Sequence, residues 1–124
     1  MSDGLVHIVD DDAAVRESVR WLLASAGIEA CIHPTPRGFL GATGGRPTGC
    51  VLLDMNMPDI DGVSVLRALA DAGMTAPVIV MTGHGDSVDA SEVLRLGAVD
   101  FIEKPFAADR LLAAVDAALT VRAA

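Results

Sequence analysis

Five short apolar runs alternate with five amphipathic stretches along the chain, and four of those runs end in Asp, Thr or Lys. Apolar runs of this length, bounded by Gly, Pro and Asp, read as strands buried on both faces. Their regular alternation with helical patterns gives a parallel sheet covered by helices on both sides. The sequence therefore predicts an α/β fold: a doubly wound, five-stranded parallel sheet with five helices. Right-handed crossovers leave few topologies. A flavodoxin-like strand order of 2-1-3-4-5 suits a chain of 124 residues.

The elements follow in order. Leu5 to Val9 is the first strand, and it stops at Asp10-Asp11-Asp12. A helix from about Ala13 to Ala26 carries Val15, Val19, Leu22, Leu23 and Ala26 at helical spacing. Asp12 or Asp11 caps its first turn, and Gly27 ends it. Ile28 to His33 is the second strand, closed by Pro34. A short helix from Thr35 to Ala42 turns Phe39 and Leu40 inward. The Gly- and Thr-rich segment from Gly41 to Gly49 reads as a surface connection.

Cys50 to Leu53 is the third strand, with Asp54 at its end. Gly62 to Ala72 forms a helix with Leu66, Leu69 and Ala70 on one face, terminated by Gly73. Pro77 to Met81 is the fourth strand and runs into Thr82-Gly83-His84-Gly85-Asp86. A helix spans Ser87 to Leu96. Val99 to Ile102 is the fifth strand, followed by Glu103-Lys104-Pro105-Phe106. The last helix runs from about Ala107 to Val121, with Leu111, Leu112, Val115, Ala118 and Leu119 facing in.

Totals narrow the function. The length fits one domain, expected to be residues 1–124 with no second domain in this chain. A net charge of −8 argues against direct binding to nucleic acid or to an anionic membrane, which need basic patches. No apolar run approaches the ~20 residues of a membrane span. Met1-Ser2-Asp3-Gly4 lacks the basic and apolar regions of a signal peptide. The expectation is a cytoplasmic protein in which Cys31 and Cys50 are reduced core thiols. His7 and His33 lie in strands and suggest no metal.

In a parallel sheet the strand ends share one edge, where ligands bind. Asp10, Asp11 and Asp12, then Asp54, Thr82 and Lys104 would meet there, while strand two adds nothing evident. Two carboxylates ~4 Å apart repel by about 4 kcal/mol at an effective dielectric near 20. The cluster therefore wants a cation or a shared proton. Oxygen-only ligands select a hard ion such as Mg²⁺, which keeps waters and leaves room for a phosphate. Lys104 offers a second positive charge, and Thr82 a hydroxyl. A nucleophilic carboxylate in that company suits phosphoryl transfer.

Four motifs, taken together, resemble the receiver domains of bacterial two-component response regulators. They are Val9-Asp10-Asp11-Asp12, the run Leu53-Asp54-Met55-Asn56-Met57-Pro58-Asp59-Ile60-Asp61-Gly62, the run Val80-Met81-Thr82-Gly83-His84-Gly85-Asp86, and the run from Gly97 to Phe106. The last two are similar to receivers of the nitrogen-fixation regulator type. The resemblance implies that Asp54 accepts a phosphoryl group from a phospho-histidine on a sensor histidine kinase. It implies Mg²⁺ held by Asp11, Asp54 and the backbone carbonyl of Asn56, with Asp10 acting through water or supporting the shell. Lys104 would pair with Asp54 and then grip the phosphoryl oxygen. Thr82 would move to the new phosphate and Phe101 would change rotamer, and Lys104-Pro105 would be cis.

The same resemblance implies a switch in binding to a C-terminal DNA-binding output domain or another effector, in transcriptional regulation. The alternative is a stand-alone receiver that acts through protein contacts or as a phosphate sink. A true turnover enzyme is not expected. An aspartate-nucleophile phosphatase carries a second acid two residues after the nucleophile, and Asn56 stands there. A nucleotide-binding module would need a Gly-rich loop after strand one, where three acids stand instead.

Other residues have plainer readings. Asp12 reads as a cap, Asp59 and Asp61 as turn and cap residues, and His84 as a loop residue. Trp21 falls off the apolar stripe of its helix, half-exposed, and suits a docking face. In the family, helix four, strand five and helix five form a face that often dimerises on phosphorylation. Asp89 and Ser91 make that face more polar than is usual and put the dimer in question.

Overall fold

The computed structural model describes residues 5–44, 49–55, 61–73, 75–83 and 90–123. Its strands are β1 (Leu5–Val9), β2 (Glu29–His33), β3 (Cys50–Asp54), β4 (Val78–Thr82) and β5 (Asp100–Glu103). Helices α1 (Ala13–Ser25), α2 (Pro36–Thr43), α3 (Gly62–Asp71), α4 (Ala90–Arg95) and α5 (Ala108–Ala123) follow them in turn. The sheet is parallel throughout, in the order β2-β1-β3-β4-β5. This is the predicted architecture, and most boundaries shift by only one or two residues.

Side-chain alternation along the strands separates two cores. Val6, Ile8, Leu52, Ile79 and Met81 face α1 and α5, meeting Val19, Leu23, Leu111 and Val115. Val9, Val51, Leu53, Val78 and Val80 face the other way, onto Phe39, Val65, Leu66, Leu69 and Val93. Both faces of β3 and β4 are buried, so no polar position interrupts them until Asp54 and Thr82. Ala70 and Ala26, expected to face inward, are exposed.

Local chemistry sets the helix starts. The Asp12 carboxylate accepts from the amides of Ala14 and Val15, and the Thr35 hydroxyl from that of Gly38. The Asp61 carboxylate accepts from the Ser64 amide at 2.8 Å. Gly62 follows it, and a Cβ there would run into the sulfur and the Cα of Met55. Only glycine lets α3 begin this close to the residue after Asp54. Asp61→Ala should cost about 1 kcal/mol, read as a lower urea midpoint. The Ser64 amide, and then its hydroxyl, hold the Asp61 carboxyl below its usual 3.8. The unfolded chain therefore takes up the proton first, so the stabilisation is complete above that value and fades as pH falls through the folded one. The gap between wild type and variant should narrow in acid.

At the far edge, Arg110 of α5 reaches back to β5. Its guanidinium donates to the Asp100 carboxylate at 3.1 Å and to the Phe101 carbonyl at 3.2 Å. This ties the strand that carries Phe101 and leads into Lys104 to the last helix.

Three expectations need correction. Cys31 is exposed on the edge strand rather than buried, while Cys50 is a core thiol. Being in strands does not keep His7 and His33 apart. Both are buried, their ring nitrogens lie 2.9 Å apart, and one nitrogen of each ring lies within 4.8 Å of the Cys31 sulfur. The cause is edge geometry. On β2 the face shared by Glu29, Cys31 and His33 is covered only at its end, where Phe39 packs on His33, so Glu29 and Cys31 surface. Trp21 is 77% exposed, more than the half expected.

Candidate functional site

Four strand ends build the site. Asp10 follows β1 and is fully buried. Asp54 closes β3 at 4% exposure, and Thr82 closes β4 at 2%. Lys104 follows β5. The Thr82 carbonyl accepts the Lys104 amide at 2.6 Å, which extends the β4–β5 ladder by one rung and carries the amine to the rim. The Lys104–Pro105 bond is cis, as expected.

Carboxylate oxygens of Asp10, Asp11 and Asp54 lie within 4.8 Å of one another, with Asp11 on the solvent side. The Lys104 amine donates to Asp10 Oδ2 at 2.8 Å and stands 3.6 Å from Asp54 Oδ1. Burial pulls the pKa of that amine down. The Asp10 hydrogen bond and charge, joined by Asp54, outweigh the burial and hold it above the usual 10.5. The lysine stays charged, and one cation serves two buried acids. Three carboxylates against one amine leave a negative surplus in a partly desolvated pocket. Such a pocket favours a further cation, and its donor set is oxygen alone, which suits a hard ion.

Asp10 is held from several sides. Its Oδ1 accepts the Asp12 amide at 2.9 Å. Its own amide donates to the His33 carbonyl at 3.3 Å, and its carbonyl accepts from the Arg16 guanidinium at 3.0 Å. Sequence reasoning missed Arg16 and His33 in this role. Arg16 carried a weak signal, one helical turn past Asp12. A backbone carbonyl carries none. The expectation that Lys104 pairs with Asp54 is also shifted, because the shorter contact is to Asp10.

Asp12 is the cap of α1, not part of the cluster. Phe101 pairs with Val80 in the ladder, half-buried against the second core. Asn56, Asp59, His84 and Asp89 lie outside the described residues. Ser91 is exposed at the start of α4.

The family described as "Response regulator receiver domain" matches residues 6–116. Transcriptional regulatory protein FixJ of Bradyrhizobium diazoefficiens is 43% identical over 116 residues, which cover 94% of this chain and 57% of that protein. The crystal structure of FixJ-N superposes with a TM-score of 0.88 at 41% identity, covering 97% of this chain and 96% of that one. Full-length FixJ from B. japonicum gives 0.86 at 42% identity, covering 97% of this chain and 59% of the other. The chain thus spans little more than half the length of the curated relatives it matches.

Proposed function

Because the chain belongs to the response regulator receiver domain family, we propose that it accepts a phosphoryl group on Asp54 from a phospho-histidine of a sensor kinase. Acceptance switches binding to an output domain or effector that controls transcription. The observation that carries this reading is the shared amine. Lys104 lies between buried Asp10 and Asp54 while Asp11 completes an acidic triad.

In the transfer, an Asp54 carboxylate oxygen attacks phosphorus. The P–N bond to the kinase imidazole breaks, its electron pair stays on the ring nitrogen, and an acyl phosphate forms. Such transfers are driven by positioning and charge neutralisation. Asp10, Asp11 and Asp54 are the side chains that would hold Mg²⁺, with the Asn56 carbonyl as the further ligand that the resemblance implies. Bound there, the ion would supply a second positive charge against the incoming phosphoryl oxygens. Lys104 holds Asp54 aimed at the rim, then follows the charge as it moves onto the phosphoryl oxygens. The switch is assigned to Thr82, which bonds the new phosphate, and to Phe101, which turns into the vacated space.

The chain is a switch rather than a turnover enzyme on this reading, and one phosphoryl group per molecule is its natural limit. Incubation with a small acyl phosphate should load one group per chain, measured by intact mass. Chelation of divalent ions should suppress the loading strongly. Loading of several groups, or loading indifferent to chelator, would count against the site. Thr82→Ala should still load but lose most of the phosphorylation-dependent change in partner affinity, a coupling of about 1–3 kcal/mol. Calorimetric titration of the effector against loaded and unloaded chains reads this.

A further inference from the structure

On the opposite side of β1 from the α1–α5 core, three ligating side chains converge. His7 and Cys31 are register partners across the β1–β2 pair, and His33 lies two residues past Cys31 on the same face. A nitrogen from each imidazole and the Cys31 sulfur all lie within 4.8 Å of one another. The rings stack with centroids 5.1 Å apart, and Phe39 of α2 packs against both, at 5.7 Å from His7 and 5.1 Å from His33. Both histidines are buried, and Cys31 opens to solvent at the sheet edge. The cluster is therefore fixed on its inner side and accessible from outside.

We propose that His7, Cys31 and His33 form a second metal site, for Zn²⁺ or a similar borderline divalent ion, separate from the acidic pocket.

The chemistry follows from the donors. Two imidazoles and a thiolate are ligands that zinc takes readily and Mg²⁺ does not. Three protein ligands leave a fourth tetrahedral position for water on the exposed Cys31 side. The contact of 2.9 Å between the two imidazole nitrogens is hydrogen-bond length. Tetrahedral zinc at ~2.0–2.1 Å to nitrogen needs its ligand nitrogens only slightly further apart, so small rotations of the two rings admit the ion. One facing nitrogen now carries a proton. On loading, that ring changes tautomer and keeps the proton on its other nitrogen. The Cys31 thiol becomes a thiolate and gives one proton to solvent.

The position also links the site to the phosphoacceptor edge. His33 supplies the carbonyl that accepts the Asp10 amide. An ion on His33 would stiffen the strand end that orients Asp10.

The test uses the reduced, metal-free chain titrated with Co²⁺ at neutral pH and then displaced by Zn²⁺. With Mg²⁺ in excess to occupy the acidic pocket, one equivalent should bind with tetrahedral visible bands and a thiolate-to-cobalt charge-transfer band. Cys31→Ser, at an exposed position that tolerates the change, should abolish the charge-transfer band. His33→Gln should weaken binding by at least about tenfold. Raising Mg²⁺ further should leave both bands unchanged. As a second measurement, Zn²⁺ should protect one thiol from alkylation. Cys50 adds no background, since burial pushes its thiol up to about 12. Absence of the charge-transfer band in the wild type, its persistence in Cys31→Ser, displacement by Mg²⁺, or alkylation at an unchanged rate would each overturn the proposal.

Discussion

Asp54→Asn should reduce phosphoryl loading from a small acyl phosphate by about 10³-fold or more, the scale on which loss of a nucleophile registers. The amide matches the carboxylate in shape, and Asp54 sits in a tight, 4%-exposed position at the end of β3. The fold should survive the change, so lost loading would report chemistry rather than unfolding. The amide oxygen is a poor nucleophile, and the substitution removes a negative charge from the triad. That second effect gives an independent sign. With fewer carboxylates to repel one another, the variant should unfold at a higher temperature than wild type in the absence of divalent ions. Mg²⁺ should then stabilise it less than it stabilises wild type. Loading at the wild-type rate would exclude Asp54 as the acceptor.

Lys104→Met should produce the other large effect, and it should appear first in stability. The Lys104 amine is the cation that neutralises fully buried Asp10 at 2.8 Å. Removing one member of a buried ion pair costs about 3–5 kcal/mol, because the remaining charge is stranded. The loss should be largest in chelator and partly recovered by Mg²⁺, which can supply the missing positive charge. Loading should fall by about 10²-fold even at saturating Mg²⁺, the usual scale for losing one preorganised donor to developing charge. Chemical denaturation with and without Mg²⁺ separates the two effects. An unchanged midpoint in chelator would mean that Asp10 does not depend on the lysine.

The strands and their order were legible because their signal is simple. Short uninterrupted apolar runs such as Val78–Met81, bounded by turn residues, read as strands of a sheet buried on both faces. Polar residues at the ends of those runs then had to meet at one edge. The location of Asp10, Asp54, Thr82 and Lys104 followed from topology alone. What stayed hidden depends on side-chain direction and backbone contacts. That Lys104 lies nearer Asp10 than Asp54 is a matter of less than 1 Å. The support of Asp10 by the His33 carbonyl involves an atom that every residue carries. The edge cluster was missed for a related reason. His7 and Cys31 stand far apart in sequence, and only the β1–β2 register makes them partners.

The account stands most directly on where the phosphoryl group goes. Reductive trapping of the loaded chain with borohydride, followed by peptide mapping, locates an acyl phosphate at a single residue. The expected result is one modified position, Asp54, in the peptide that contains the end of β3. Modification at Asp10 or Asp11 instead, or a loaded group that borohydride does not release, would contradict the assignment and the roles given to Lys104 and Thr82 with it.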